Sequence, residues 1–155
     1  MREAKNQAMY LSRPWGTPYT YINLGVWNIH GLFVKVNNYK LNKLSDPEFL
    51  KRLNNFDILC LQETQCGPKD TQSLSVQGYS LIPFHRKKSG NSRYYGGSLL
   101  LIKTGLRKGI KVLESTNGDS IWLKLKKYFF LFDKDVYFNT TYALPPLPRR
   151  GIQKI

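Results

Sequence analysis

At 155 residues the chain has the length of one ordinary domain, enough to bury a core. Its 24 Lys and Arg against 10 Asp and Glu give a formal net charge of +14, and 14% of residues are aromatic. This balance suits a polyanionic partner, with nucleic acid ahead of membrane because no basic amphipathic helix is present; the plainer alternative is a soluble basic protein. Two cysteines, Cys60 and Cys66, exclude a disulfide framework and the paired spacing of a zinc site. No span has the apolar length of a membrane helix or a secretory signal, so an intracellular setting, nuclear or cytoplasmic, is expected.

Residues 1–20 are polar and aromatic with Pro14, Gly16 and Pro18, and read as a loose arm ahead of a single domain over 21–155. In the stretch 21–31, Ile22, Leu24 and Val26 alternate, which predicts a strand ending near Asn28, with Asn28 and His30 at its tip. A helix is predicted over 46–53. Ser45-Asp46-Pro47-Glu48 supplies an N-cap and capping box, and Phe49, Leu50 and Leu53 form the apolar stripe. Next comes Phe56-Asp57-Ile58-Leu59-Cys60-Leu61-Gln62-Glu63, a near-continuous apolar run of the kind found in a strand buried on both faces. Cys60 belongs to that packing.

Strand, helix and strand make a right-handed βαβ unit, which brings Asn28 and Glu63 to one rim of a parallel pair. Glu63 then stands at the carboxyl end of a central strand, where open α/β sheets place ligands. Taken alone, it reads equally as the solvated end of a strand.

Beyond Gly67-Pro68 the pattern turns to strands joined by short connections: 78–84, 96–102, 112–113, 121–126 and 136–142. Between the first two lies a basic hairpin loop, His85-Arg86-Lys87-Lys88-Ser89-Gly90-Asn91-Ser92-Arg93. It is either a phosphate-facing patch or a solvated tip. Arg93, Tyr94 and Tyr95 could stack on an unpaired base, or the tyrosines could be core.

Four motifs occur in order: Trp27-Asn28-Ile29-His30-Gly31, Leu61-Gln62-Glu63-Thr64, Tyr94-Tyr95-Gly96-Gly97 before an apolar strand, and Thr141-Tyr142 followed by Pro145-Pro146. Over about residues 21 to 146 this order resembles the endonuclease/exonuclease/phosphatase (DNase I-like) superfamily, and within it the endonuclease domain of non-LTR (LINE-type) retrotransposon proteins. The resemblance implies a four-layer α/β sandwich of two packed, mainly antiparallel sheets with outer helices, of which this chain would hold the amino-terminal part. It also implies metal-dependent cleavage of DNA phosphodiesters, and a reverse transcriptase domain in a longer parent protein.

Carried over by position, the resemblance makes Glu63 the magnesium (or manganese) ligand. Asn28 becomes a polar residue of the same site that orients metal or phosphate, and Tyr142 becomes the active-site tyrosine directed at the phosphate. Magnesium prefers hard oxygen ligands, and a phenol can bond a phosphate oxygen where charge develops. Arg86, Lys87, Lys88 and Arg93 are the candidate nucleic-acid contacts. Two departures stand out. Ala143 and Leu144 intervene where the family usually has one residue, and after Tyr142 the 155 residues contain no Asp, Glu, Asn or His. The family's later Asp, Asn and Asp-His groups, which activate water, have no counterpart here. His30 could substitute only as a lone imidazole without an evident orienting carboxylate.

The expected function is therefore that of a nicking endonuclease fragment, inactive by itself and poorly soluble where apolar surface is left open. The alternatives are a non-catalytic basic nucleic-acid-binding module and a phosphoesterase of the same superfamily acting on a small phosphoester such as a phosphoinositide.

Overall fold

The structure, a computed structural model, describes residues 21–86, 94–113 and 119–142, together with the backbone of 5–9. In chain order these form β1 (Lys5–Met9), β2 (Ile22–Asn28), β3 (Phe33–Val36), β4 (Tyr39–Asn42), α1 (Pro47–Leu53) and β5 (Ile58–Gln62). The one-turn helix α2 (Pro68–Thr71), β6 (Tyr79–Phe84), β7 (Ser98–Lys103) and β8 (Ile110–Leu113) follow. The chain then runs through β9 (Ser120–Leu125), the one-turn helix α3 (Lys127–Phe130) and β10 (Val136–Thr141).

Five strands form the central sheet in the order β1-β2-β5-β7-β6. Only β2 and β5 run parallel, with Asn28 opposite Gln62; the other pairs are antiparallel. The βαβ expectation holds, because a parallel neighbour needs a crossover and α1 supplies it. Asp46 caps α1 by accepting from Glu48 N at 2.9 Å, Pro47 opens the first turn, and Phe49 and Leu53 are buried. Every residue of β5 is buried, as its unbroken apolar run requires.

The central sheet buries both faces. One face packs Leu59, Leu61, Leu99 and Leu101 against Phe49, Leu53 and Phe56, with Trp27 stacked on Phe49 at a ring separation of 4.7 Å. The other packs Ile22, Leu24, Ile58, Cys60, Leu100 and Ile102 against Ile121, Leu123 and Leu125 of a second, antiparallel sheet ordered β10-β9-β8. Helix, sheet and sheet are three layers of an α/β sandwich. The outward face of the second sheet carries Trp122 and Tyr137, both exposed, as are Tyr128, Phe129 and Leu131 nearby.

Two segments depart from the sequence expectation. Within the stretch read as a loose arm, Lys5–Met9 pair antiparallel with the first part of β2, from Lys5 opposite Val26 to Met9 opposite Ile22. Between β2 and α1 stands a hairpin, β3–β4, that the sequence reading passed over. Its turn residues Asn37 (φ 46°) and Asn38 (φ 68°) adopt the positive φ of the tight hairpin turn that asparagine tolerates. The strands are short and turn their apolar alternation outward, so no buried period signals them.

Candidate active site

The rim at the carboxyl ends of β2 and β5 holds Asn28 and, one residue past β5, Glu63. Their proximity follows from the parallel register. Glu63 has φ 55°, as does Gln65, and His30 has φ 50°, so three non-glycine residues on this rim occupy the left-handed region. Such conformations cost free energy and persist where neighbours over-determine them. The neighbours here are backbone bonds: Gly31 N donates to Glu63 O at 2.6 Å, Leu32 N to Thr64 O at 2.9 Å, Thr64 N to Gly97 O at 3.1 Å and Gln65 N to Gly96 O at 2.8 Å.

The Gly96-Gly97 pair is thereby explained. Both have positive φ, 68° and 77°, and a Cβ on Gly96 would stand 2.9 Å from the Arg86 side chain. The pair lets the start of β7 clamp the Glu63 loop from the other side.

Tyr142 arrives from the second sheet. Its backbone N donates to Asp119 O at 2.7 Å, just past the end of β10, and its hydroxyl donates a short hydrogen bond to Glu63 Oε1. His30 Nδ1 lies 2.8 Å from Glu63 Oε2, although its own side chain is 77% exposed. The Asn28 carbonyl oxygen accepts from His30 N at 3.1 Å, and its amide bonds the Glu63 carboxylate.

Partial burial alone would raise the Glu63 pKa. The hydrogen bonds from Tyr142 and Asn28 and the His30 charge outweigh it and hold the carboxyl below its usual value. The same hydrogen bond to Glu63, with burial added, raises the Tyr142 phenol, so it stays a donor. Glu63, Asn28 and Tyr142 thus converge, and His30 does have a carboxylate partner, which the sequence reading had not found for it.

The remaining site expectations divide. Arg86 Nε donates to Asp119 Oδ1 at 2.7 Å and a second guanidinium nitrogen meets Asp119 Oδ2, while the guanidinium carbon lies 5.9 Å from the Tyr142 ring centre. Its charge is matched within the protein and it props the tyrosine. Asp119 was missed, because it sits 33 residues from Arg86 in a turn that carries no chemical signal of its own. His85 is not a phosphate-facing group. Nδ1 bonds Cys66 O at 3.1 Å, so it carries the proton, and Nε2 bonds Thr71 Oγ1 at 3.2 Å, which ties the loop after Glu63 to the end of β6. Tyr94 is half-buried over Gly67 and Tyr95 is exposed, so neither is core. Lys87, Lys88 and Arg93 lie outside the described residues. Burial pushes both cysteine thiols up to about 11, which excludes them as nucleophiles.

Among the described residues no three His, Cys, Asp or Glu side chains converge as a metal cage. One ionised carboxylate with an amide and a phenol beside it does not suit zinc, which takes at least three protein ligands, mostly histidine nitrogen and cysteine sulfur. It does fit magnesium or manganese, held by one or two carboxylates, water and substrate phosphate.

Residues 25–154 match the sequence pattern of the Endonuclease/Exonuclease/phosphatase family. The chain belongs to that family. Its fold is similar to that of the AP endonuclease LMAP from Leishmania major, with a TM-score of 0.53 at 20% sequence identity. The similarity covers 78% of this chain and 40% of the LMAP chain, so the chain spans less than half of that relative. No curated protein matches it. The DNase I-like α/β sandwich anticipated from the motif order is the observed fold. No helix among the described residues is long and apolar enough to cross a membrane.

Proposed function

We propose that this chain carries the metal-binding half of a nuclease that hydrolyses DNA phosphodiesters with magnesium or manganese, from a protein of the LINE-type retrotransposon class. The observation that supports it most is the convergence on Glu63 of Tyr142 from the second sheet and Asn28 from the neighbouring strand. Glu63 would hold the ion, with Asn28 and Tyr142 orienting the carboxylate and presenting donors to a phosphate oxygen. A divalent ion here would offset charge developing on the phosphoryl group. Hydrolysis further needs a base within reach of the attacking water. The 155 residues contain only two histidines: His85 is committed to Thr71 and Cys66, and His30 is turned onto Glu63, the carboxylate that would hold the ion. The isolated chain is therefore proposed to bind metal and DNA without nicking. A longer parent protein would supply the missing groups, with a reverse transcriptase domain as its companion.

Electron paramagnetic resonance of Mn²⁺, titrated with a short DNA duplex and the chain, tests the reading. Binding that Glu63→Gln removes supports it. Equal binding by the two proteins overturns the metal assignment, and plasmid nicking by the chain, abolished in Glu63→Gln, overturns the inactivity. DNA binding that is steeply salt-dependent and indifferent to metal and to Glu63 would favour a binding module instead.

A further inference from the structure

The β3–β4 hairpin is built with its faces reversed. The register pairs Val34 with Leu41 and Val36 with Tyr39, and these four side chains are 39%, 54%, 46% and 74% exposed. On the other face, Phe33 packs on the core and Lys40 Nζ sits 4.2 Å from its ring centre and 2.9 Å from Asp70 Oδ1. A ribbon with one face toward the body ordinarily turns its apolar side chains inward. Here they form a continuous exposed patch, of the kind that marks a contact surface.

The patch is fixed to the site. Leu32 and Leu44, both buried, plug the two ends of the hairpin, and Lys43 N donates to Leu32 O at 3.0 Å. The segment leading into β3 bonds the backbone of Glu63 and Thr64 through Gly31 and Leu32, and Lys43 Nζ donates to Ile29 O. Between Phe33 and Ser45 the chain has three lysines and no Asp or Glu, and Lys35 has no ion-pair partner among the described residues.

We propose that this hairpin is a nucleic-acid contact that holds the substrate strand at the Glu63 rim. Tyr39 and Val36, flanking its turn, lie against bases or sugars in a groove, and Lys35, exposed on the opposite face of the ribbon, meets a phosphate at the groove's edge. Charge complementarity selects this partner, because an apolar face on a hairpin whose own charges are all lysines, with Lys35 unpaired among the described residues, matches a surface whose bases are apolar and whose backbone is anionic. Two-stranded ribbons enter DNA grooves, and apolar side chains wedge between base steps. The inference rests on the nuclease reading above.

The test is fluorescence anisotropy of a labelled DNA duplex with the whole chain in EDTA. For Val36→Ser/Tyr39→Ser the dissociation constant is expected to rise roughly 5- to 150-fold, the scale of one lost stacking contact, with the salt dependence unchanged. For Lys35→Gln the log–log salt slope is expected to become shallower by about 0.9. A duplex bearing 5-iododeoxyuridine should photocrosslink to the hairpin, a readout that a merely structural role would not give. Wild-type binding matched within twofold by the double variant, with no crosslink, overturns the hairpin assignment and leaves the nuclease reading standing. No DNA binding by the wild type, either in EDTA or with magnesium added, overturns both. If the double substitution abolishes self-association or binding to anionic vesicles and spares DNA affinity, the patch serves a second copy or a lipid surface, and the proposal is overturned.

Discussion

The central sheet carries a carboxylate at each end of β5, and the two are equally withdrawn from water, with side-chain exposures of 17% for Asp57 and 16% for Glu63. Asp57 accepts from Asn23 N at 2.8 Å and from Lys103 Nζ at 2.9 Å, on backbone of ordinary conformation. Glu63 has a phenol, an amide and an exposed imidazole instead, on a left-handed residue flanked by two more. Burial therefore does not separate the two ends; their partners do. A lysine is a permanent counter-ion that closes the Asp57 site. Among the described residues Glu63 pairs with no lysine or arginine, and a phenol, an amide and an exposed imidazole that can rearrange leave its charge available to an incoming cation.

The contrast is sharpest in a crossed pair of variants. Glu63→Gln should weaken Mn²⁺ binding at least about tenfold, the size of effect already produced by removing a mere partner of a ligand, while thermal stability changes little. Asp57→Asn should leave Mn²⁺ binding unchanged. If both variants lose metal equally, the two ends are not functionally distinct. Next in size is Gly97→Ala, which forces a side chain into φ 77° with its Cβ 3.0 Å from Phe84 O. A loss of about 1–2 kcal/mol in urea unfolding is expected. An unchanged midpoint would show that the clamp on the Glu63 loop is dispensable.

Asp57→Asn itself should cost at most about 1 kcal/mol, since its lysine partner is partly exposed. The smallest effect concerns pH. The hydrogen bond that Lys103 donates to Asp57 raises the Lys103 pKa above its usual 10.5. Its contribution is fully present below that value and declines as pH rises through the higher folded-state pKa. Melting curves of wild type and Asp57→Asn should therefore converge only above about pH 10.5; convergence already at pH 9 would remove the Lys103 pairing from the account.

Much of the central sheet was legible because its signals are local. The apolar run at Ile58 to Leu61, the alternation of Ile22, Leu24 and Val26, and the Asp46-Pro47 cap each specify one element, and a parallel pair with a helical crossover has one preferred hand. The meeting of Asn28 and Glu63 follows from those elements alone. The role of Arg86 does not: its basic neighbourhood suggested phosphate, whereas Asp119, brought close by the second sheet, occupies both edges of its guanidinium. The β3–β4 hairpin escaped for the opposite reason, since a ribbon that exposes its apolar face has no inward period to read.

By itself, then, the sequence determined the parallel β2 and β5 strands, their crossover and the residue at which a buried strand gives way to a carboxylate, because backbone sterics and side-chain periodicity act over a few residues. Tertiary structure alone decided that Tyr142, 79 residues away, reaches Glu63, and that Arg86 and Asp119 support it. Those contacts depend on how two sheets stack through the Ile58, Cys60, Leu100 and Leu123 layer. Side chains from both sheets must interdigitate at close-packed density before that distance is set.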